Sequence, residues 1–109
     1  MSLWEERAAR NEALFREVNE EVERLTERLH GDADRADFVC ECSRAECTDW
    51  LHVPLALYES VRAAPRRFLL VAGHEQSELE SVVESGDGYV IVEKEGTAGR
   101  LADRTDPRS

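Results

Sequence analysis

Phe38-Val39-Cys40-Glu41-Cys42-Ser43-Arg44-Ala45-Glu46-Cys47 carries all three cysteines of the chain. On an extended segment, residues two apart point to one face, so the thiols of Cys40 and Cys42 converge while Glu41 faces away. The polar stretch 43–46 forms a loop that brings Cys47 back to the same point. Three such thiols suit a tetrahedral zinc ion, which favours sulfur and nitrogen donors and needs a fourth ligand to close a structural site. Three histidines are available. His74, in Ala72-Gly73-His74-Glu75, is favoured because a glycine-containing loop lets an imidazole turn toward a neighbouring segment. A ligand so far along the chain also closes a large loop, so metal binding would tie the β elements together. His52 lies five residues after Cys47 between Trp50 and Pro54 and is the alternative; His30, at the end of the first helix, is a weaker third.

Around this cluster, residues 37–95 alternate strand and helix signals. Phe38-Val39-Cys40 opens a strand, and Trp50–Leu55 reads as a second with Leu51, Val53 and Leu55 on one face. Residues 55–63 form a short helix through Leu55, Tyr58 and Val61, with Pro65 after its end. Phe68–Val71 is a continuous apolar run of strand length. Ser77 followed by Glu80 reads as a capping box opening a second short helix through Leu79, Val82 and Val83. After the turn Gly86-Asp87-Gly88, Tyr89–Lys94 is the strongest strand.

Upstream, residues 1–36 form an amphipathic, coiled-coil-like helix. Ser2 and Glu5 make a capping box, and Gly31 supplies the left-handed stop. Trp4, Ala8, Asn11, Phe15, Val18, Val22, Leu25 and Leu29 are spaced alternately by four and three, a heptad pattern over four repeats with Leu14 broadening the seam. Arg7 is placed to pair with Glu12 of a parallel partner. Such a helix spans roughly 42 Å, more than the ~25 Å width expected of so small a domain. Phe15, Val18, Val22, Leu25 and Leu29 are therefore expected to serve a protein partner or a dimer. The alternative is a helix laid across the chain's own sheet. Residues 96–109 contain one large aliphatic residue, Leu101, and read as a flexible tail.

The fold class expected is thus α+β: a long N-terminal helix, then a small zinc-stapled domain of about four strands and two short helices. With 109 residues, one domain and a small core are expected. The formal charge of −10 argues against nucleic acid or an anionic membrane as main partner, since both reward clustered basic residues. Thirteen of the 14 basic residues are arginine, and Lys94 is the lone lysine. Arg62, Arg66 and Arg67 are the one basic cluster, read as a solvated helix end. No apolar run is long enough to span a membrane. The start of the chain lacks the apolar stretch of a signal peptide, so a cytoplasmic location with reduced cysteines is expected.

Phe38-Val39-Cys40-Glu41-Cys42, Cys47-Thr48, Tyr58-Glu59-Ser60-Val61-Arg62, Pro65-Arg66-Arg67-Phe68, Gly73-His74-Glu75 and Val92-Glu93-Lys94, in this order, resemble a group of short, largely uncharacterised bacterial proteins. The N-terminal helix of that group looks like Arg10–Glu20. The resemblance covers roughly residues 10–95. It implies that Cys40, Cys42, Cys47 and His74 belong together, and it implies no activity. Pro54 stands where the pattern has a helix-capping threonine, and His52 where it has no histidine.

Function follows as an expectation: a non-enzymatic regulatory or adaptor protein, with structural zinc and contacts made through the first helix. One alternative is a zinc hydrolase-like enzyme with an open fourth position and Glu75 or Glu41 as base. It lacks the H-E-x-x-H and H-x-E…P-C-x-x-C signatures. The other is a redox switch in which thiol oxidation ejects zinc.

Overall fold

A computed structural model describes residues 3–29, 34–42, 44, 46–76 and 79–108, with backbone alone at 3–6 and 8. The architecture is α+β. Helix α1 (Leu3–Leu29) leads into the hairpin-like pair β1 (Arg35–Val39) and β2 (Trp50–Pro54). Helix α2 (Leu55–Arg62) follows, then β3 (Arg67–Val71), β4 (Glu80–Gly86), β5 (Tyr89–Lys94) and helix α3 (Gly96–Arg104). β1 and β2 form one antiparallel sheet; the other is antiparallel in the order β3-β5-β4. The capping Ser2, the stop at Gly31 and His30 lie outside the described residues.

Alternation sets the small sheet. Ala36 and Phe38 on β1 and Leu51 and Val53 on β2 point inward, and their neighbours Asp37, His52 and Trp50 point out. The Phe38 ring stacks on Tyr58 of α2, with centroids 4.3 Å apart. Pro54 caps α2 without a side-chain bond, but the helix begins at Leu55 nonetheless: the Leu55 N–H donates to the Asp34 carbonyl at 2.8 Å. That bond satisfies one of the free donors at a helix start. Phe68, Leu69 and Leu70 are consecutive and all buried, as a strand covered on both faces requires. The β-branched strand β5 takes the central place in its sheet.

Two expectations are corrected here. The segment through Leu79, Val82 and Val83 is strand β4, not a helix; Ser77 of the expected capping box lies outside the described residues. Val82-Val83 fits either state locally, and antiparallel pairing with β5 decides for the strand, with a bulge between Val82 and Glu84. The second short helix is instead α3, in the stretch expected to be a flexible tail. Gly99 and Ala102 of α3 are buried, and a Cβ at Gly99 would stand 2.8 Å from the Arg66 guanidinium and 3.0 Å from the Lys94 carbonyl oxygen, so that the Arg66 side chain would have to shift. The tail after α3 is fastened by charge. Asp106 pairs with the buried Arg62, and Arg108 bonds Glu20, Glu23 and Glu59 at 2.8–3.0 Å.

Helix α1 docks on the chain's own domain, but by a polar face. Among the described residues Glu12, Arg16, Asn19 and Glu23 are its buried ones, spaced by four, three and four. Arg16 is fully buried: it donates to the carbonyls of Pro65 at 2.6 Å and Ala102 at 2.9 Å and lies 4.2 Å over the Phe68 ring. Asn19 acts as a surrogate neighbouring strand for Val39, donating to its carbonyl and accepting from its N–H, each at 2.8 Å. Glu12 and Glu80 both pair with the buried Lys94. Glu12, expected to pair with Arg7 of a parallel copy, is thus engaged by Lys94 within the chain. The apolar stripe is left largely outward, with Leu14, Val18, Leu25 and Leu29 exposed and Phe15 and Val22 half-buried at its border. The side chains of Trp4 and Ala8 lie outside the described set.

The arginine cluster is dispersed in the same manner. Arg62 is buried against Glu20 and Asp106 rather than solvated, Arg66 pairs with Asp103, and Arg67 with Glu93. Among the described residues no helix is long and apolar enough to cross a membrane.

Burial raises the Glu12 carboxyl to about 7, against an ordinary 4.5, although Lys94 opposes the shift. A carboxyl with a raised folded pKa binds its proton in the fold before it does in the unfolded chain. Its contribution to stability is greatest below about 4.5 and declines as pH rises to about 7. Glu12→Gln keeps an acceptor for Lys94 and removes the titration. It is expected to lose the fall in stability that the parent shows between pH 5 and pH 8. Paired denaturant titrations at the two pH values check this; a variant whose stability falls as the parent's does contradicts it.

Candidate metal centre

Cys40, Cys42, Cys47 and His74 each offer one donor atom, and the four atoms all lie within 4.8 Å of one another. The His74 Nδ1 stands 3.4 Å from the Cys40 Sγ and 3.7 Å from the Cys47 Sγ. A tetrahedral ion with zinc–sulfur bonds of ~2.3 Å and a zinc–nitrogen bond of ~2.05 Å separates such donors by about 3.6 Å. The observed distances bracket that value.

Local structure explains the convergence. Past β1 the chain stays extended: the Cys40 N–H donates to the Asp49 carbonyl at 3.0 Å and the Glu41 N–H to the Leu69 carbonyl at 2.8 Å. This segment therefore bridges the two sheets. Its alternation sends Cys40 and Cys42 to one side and Glu41 to the other. The Cys47 N–H donates to the Arg44 carbonyl at 3.1 Å, a turn that folds the loop back. After β3 the His74 N–H closes a tight turn onto the Val71 carbonyl at 3.0 Å, with Gly73 at φ +96°. That left-handed conformation favours glycine. Gly73→Ala adds a Cβ into open space, so its effect is backbone strain alone. A loss of about 1–2 kcal/mol is expected, with weaker metal retention in a chelator competition. Unchanged retention contradicts the role given to this turn.

Val71 donates its N–H to the Cys40 Sγ at 3.2 Å, and the backbone at Arg44 and Asp49 acts to lower Cys42 and Cys47. Such donors stabilise thiolates. A hydrogen bond from Cys40 holds the Cys42 thiol down at about 5, and the same bond, with burial, pushes Cys40 up. Burial raises Cys47. The far nitrogen of His74, Nε2, lies 3.3 Å from the Asp49 carboxylate. A carboxylate behind a ligating imidazole fixes its tautomer and leaves Nδ1 free to bind metal. Asp49 is a site residue that sequence reasoning missed; its only signal was its place two residues after Cys47.

The other candidates stand elsewhere. His52 is exposed on β2, with its Nδ1 2.6 Å from Asp37, and takes no part in the cluster. Glu41 is fully buried on the opposite side. It accepts from Tyr58 at 2.6 Å, Asn19 at 2.8 Å and the Leu69 N–H at 3.0 Å. Burial raises its pKa, while those three bonds oppose the rise. It joins α1, α2 and β3 and does not face the thiols. Glu75 is exposed and accepts from the Gly73 N–H at 2.8 Å. The cluster can hold a metal ion with sulfur and nitrogen donors. No family model, curated protein or solved structure matches the chain.

Proposed function

We propose that the chain is a non-enzymatic zinc-binding module, regulatory or adaptor in kind, that acts through protein contacts made by α1. The observation that carries this reading is the meeting of three sulfurs and one imidazole nitrogen within 4.8 Å of one another, with the nitrogen 3.4 and 3.7 Å from two of the sulfurs. Soft thiolates with one imidazole in that geometry favour zinc among common divalent ions. A structural role is supported by the saturation of the donor set, which leaves no position for a reacting water. It is further supported by the placement of Glu41 and Glu75, the two carboxylates suited to act as base, in other hydrogen bonds. The metal would bind residues from the β1–β2 connection and the β3–β4 connection, and so fasten the two sheets. The contact role is supported by the outward apolar stripe of α1.

Metal analysis of the purified chain together with its native mass tests the reading. One zinc per chain, removed only with loss of structure, is the expected result. A folded chain that carries no metal and takes up none overturns it.

A further inference from the structure

The apolar stripe of α1 has an internal symmetry. Its members exposed among the described residues, Leu14, Val18, Leu25 and Leu29, are spaced by four, seven and four. Reversing the helix about a point between Glu21 and Val22 exchanges Leu14 with Leu29 and Val18 with Leu25. A surface that maps onto itself on reversal is the kind that a two-fold dimer uses. At 100° per residue, the stripe is centred roughly 140° around the helix from the docked face of Glu12, Arg16, Asn19 and Glu23. Two copies can therefore meet along it with their domains on the outside.

Charge follows the same symmetry. Glu17, Glu21, Arg24 and Arg28 are exposed and share one flank of the stripe. The other flank adjoins the docked domain. In an antiparallel pair each flank meets its own counterpart. The register above places Glu17 of one copy between Arg24 and Arg28 of the other, about 3 Å along the helix axis from each; the two Glu21 side chains meet at the two-fold axis, each about 3 Å along the helix from Arg24 of the other copy. The Glu21–Arg24 pair formed within one helix is exposed and leaves both groups free to exchange partners. A parallel pair would need the flank of Glu12 and Asn19, which the domain already covers.

We propose that the occupant of this face is a second copy of the chain, antiparallel, with the two-fold axis crossing α1 between Glu21 and Val22. The inference rests on the reading of α1 as a contact surface and names its partner. Sedimentation of the full zinc-loaded chain across a concentration series tests it. The parent is expected to pass from monomer to dimer at micromolar concentrations. Val18→Glu, at an exposed site, is expected to raise the dimerisation midpoint at least about tenfold. Glu17→Arg/Glu21→Arg and Arg24→Glu/Arg28→Glu should each self-associate at least about tenfold more weakly, and an equimolar mixture should recover a heterodimer. A parent that stays monomeric throughout, charge variants that dimerise like the parent, or a mixture that stays monomeric each overturn the inference. Zinc content measured on the same samples reads the metal site separately. A zinc-loaded monomer overturns the dimer alone, and a metal-free dimer overturns the zinc module alone.

Discussion

Cys40→Ser is expected to remove the metal and the folded state together. Cys40 is almost fully buried, its N–H joins the β2 side at Asp49, and its sulfur accepts from Val71 of β3. The core beneath it is small, and a chain of this size is held by roughly 5–15 kcal/mol in total. Structural zinc contributes ~10–16 kcal/mol to the folding of small domains, so its loss exceeds what the rest of the fold can supply. The expected signs are loss of bound zinc and of a cooperative thermal transition. His74→Ala should behave similarly. Asp49→Asn should leave the fold intact and weaken zinc about 10–100-fold, because it orients the imidazole without bonding the metal. His52→Ala should change neither property. A Cys40→Ser chain that melts cooperatively near the parent would show that the thiols are merely core residues.

The second large effect is expected at the other end of the chain. Ending the chain after Glu95 removes α3 and the segment that follows it. Arg62, fully buried, then keeps Glu20 but loses Asp106. Arg16 loses the Ala102 carbonyl, and Glu23 and Glu59 lose Arg108. Breaking a buried ion pair by deleting one partner costs about 3–5 kcal/mol. The truncated chain should therefore be destabilised by at least that much in denaturant unfolding. Asp106→Ala should reproduce the larger part of it. Arg108→Ala should cost less, about 1 kcal/mol, because its ion pairs are partly exposed. A truncated chain as stable as the parent would mean that residues 96–109 behave as a passive tail.

The parts of this fold that were legible in the sequence are those written in apolar periodicity. β1, β2, β3 and β5 follow alternation or continuous apolar runs, and α2 follows Tyr58 and Val61. The cysteine–histidine cluster was legible because alternation is strict: it fixes Cys40 and Cys42 on one side and Glu41 on the other, whatever the surrounding fold. The glycine at 73 marked His74 as the imidazole able to turn. What escaped is written in polar groups. The docked face of α1 is Glu12, Arg16, Asn19 and Glu23, residues that a hydrophobic pattern assigns to solvent. Each is buried because a partner far along the chain satisfies it: Lys94, the Pro65 and Ala102 carbonyls, Val39 and Arg108. The same holds for α3, whose glycines suggest a loop until Arg16 is seen to bind the Ala102 carbonyl and Gly99 to pack on Arg66 and the Lys94 carbonyl. β4 was lost because the Ser77–Glu80 capping box was read over the β-branched Val82-Val83, and the deciding hydrogen bonds come from β5.

X-ray absorption at the zinc edge of the purified chain tests the metal centre most directly. Three sulfurs at about 2.3 Å and one nitrogen at about 2.0–2.1 Å are expected, the nitrogen shell disappearing in His74→Ala and persisting in His52→Ala. A first shell dominated by oxygen, or one that keeps its nitrogen when His74 is gone, would contradict the account.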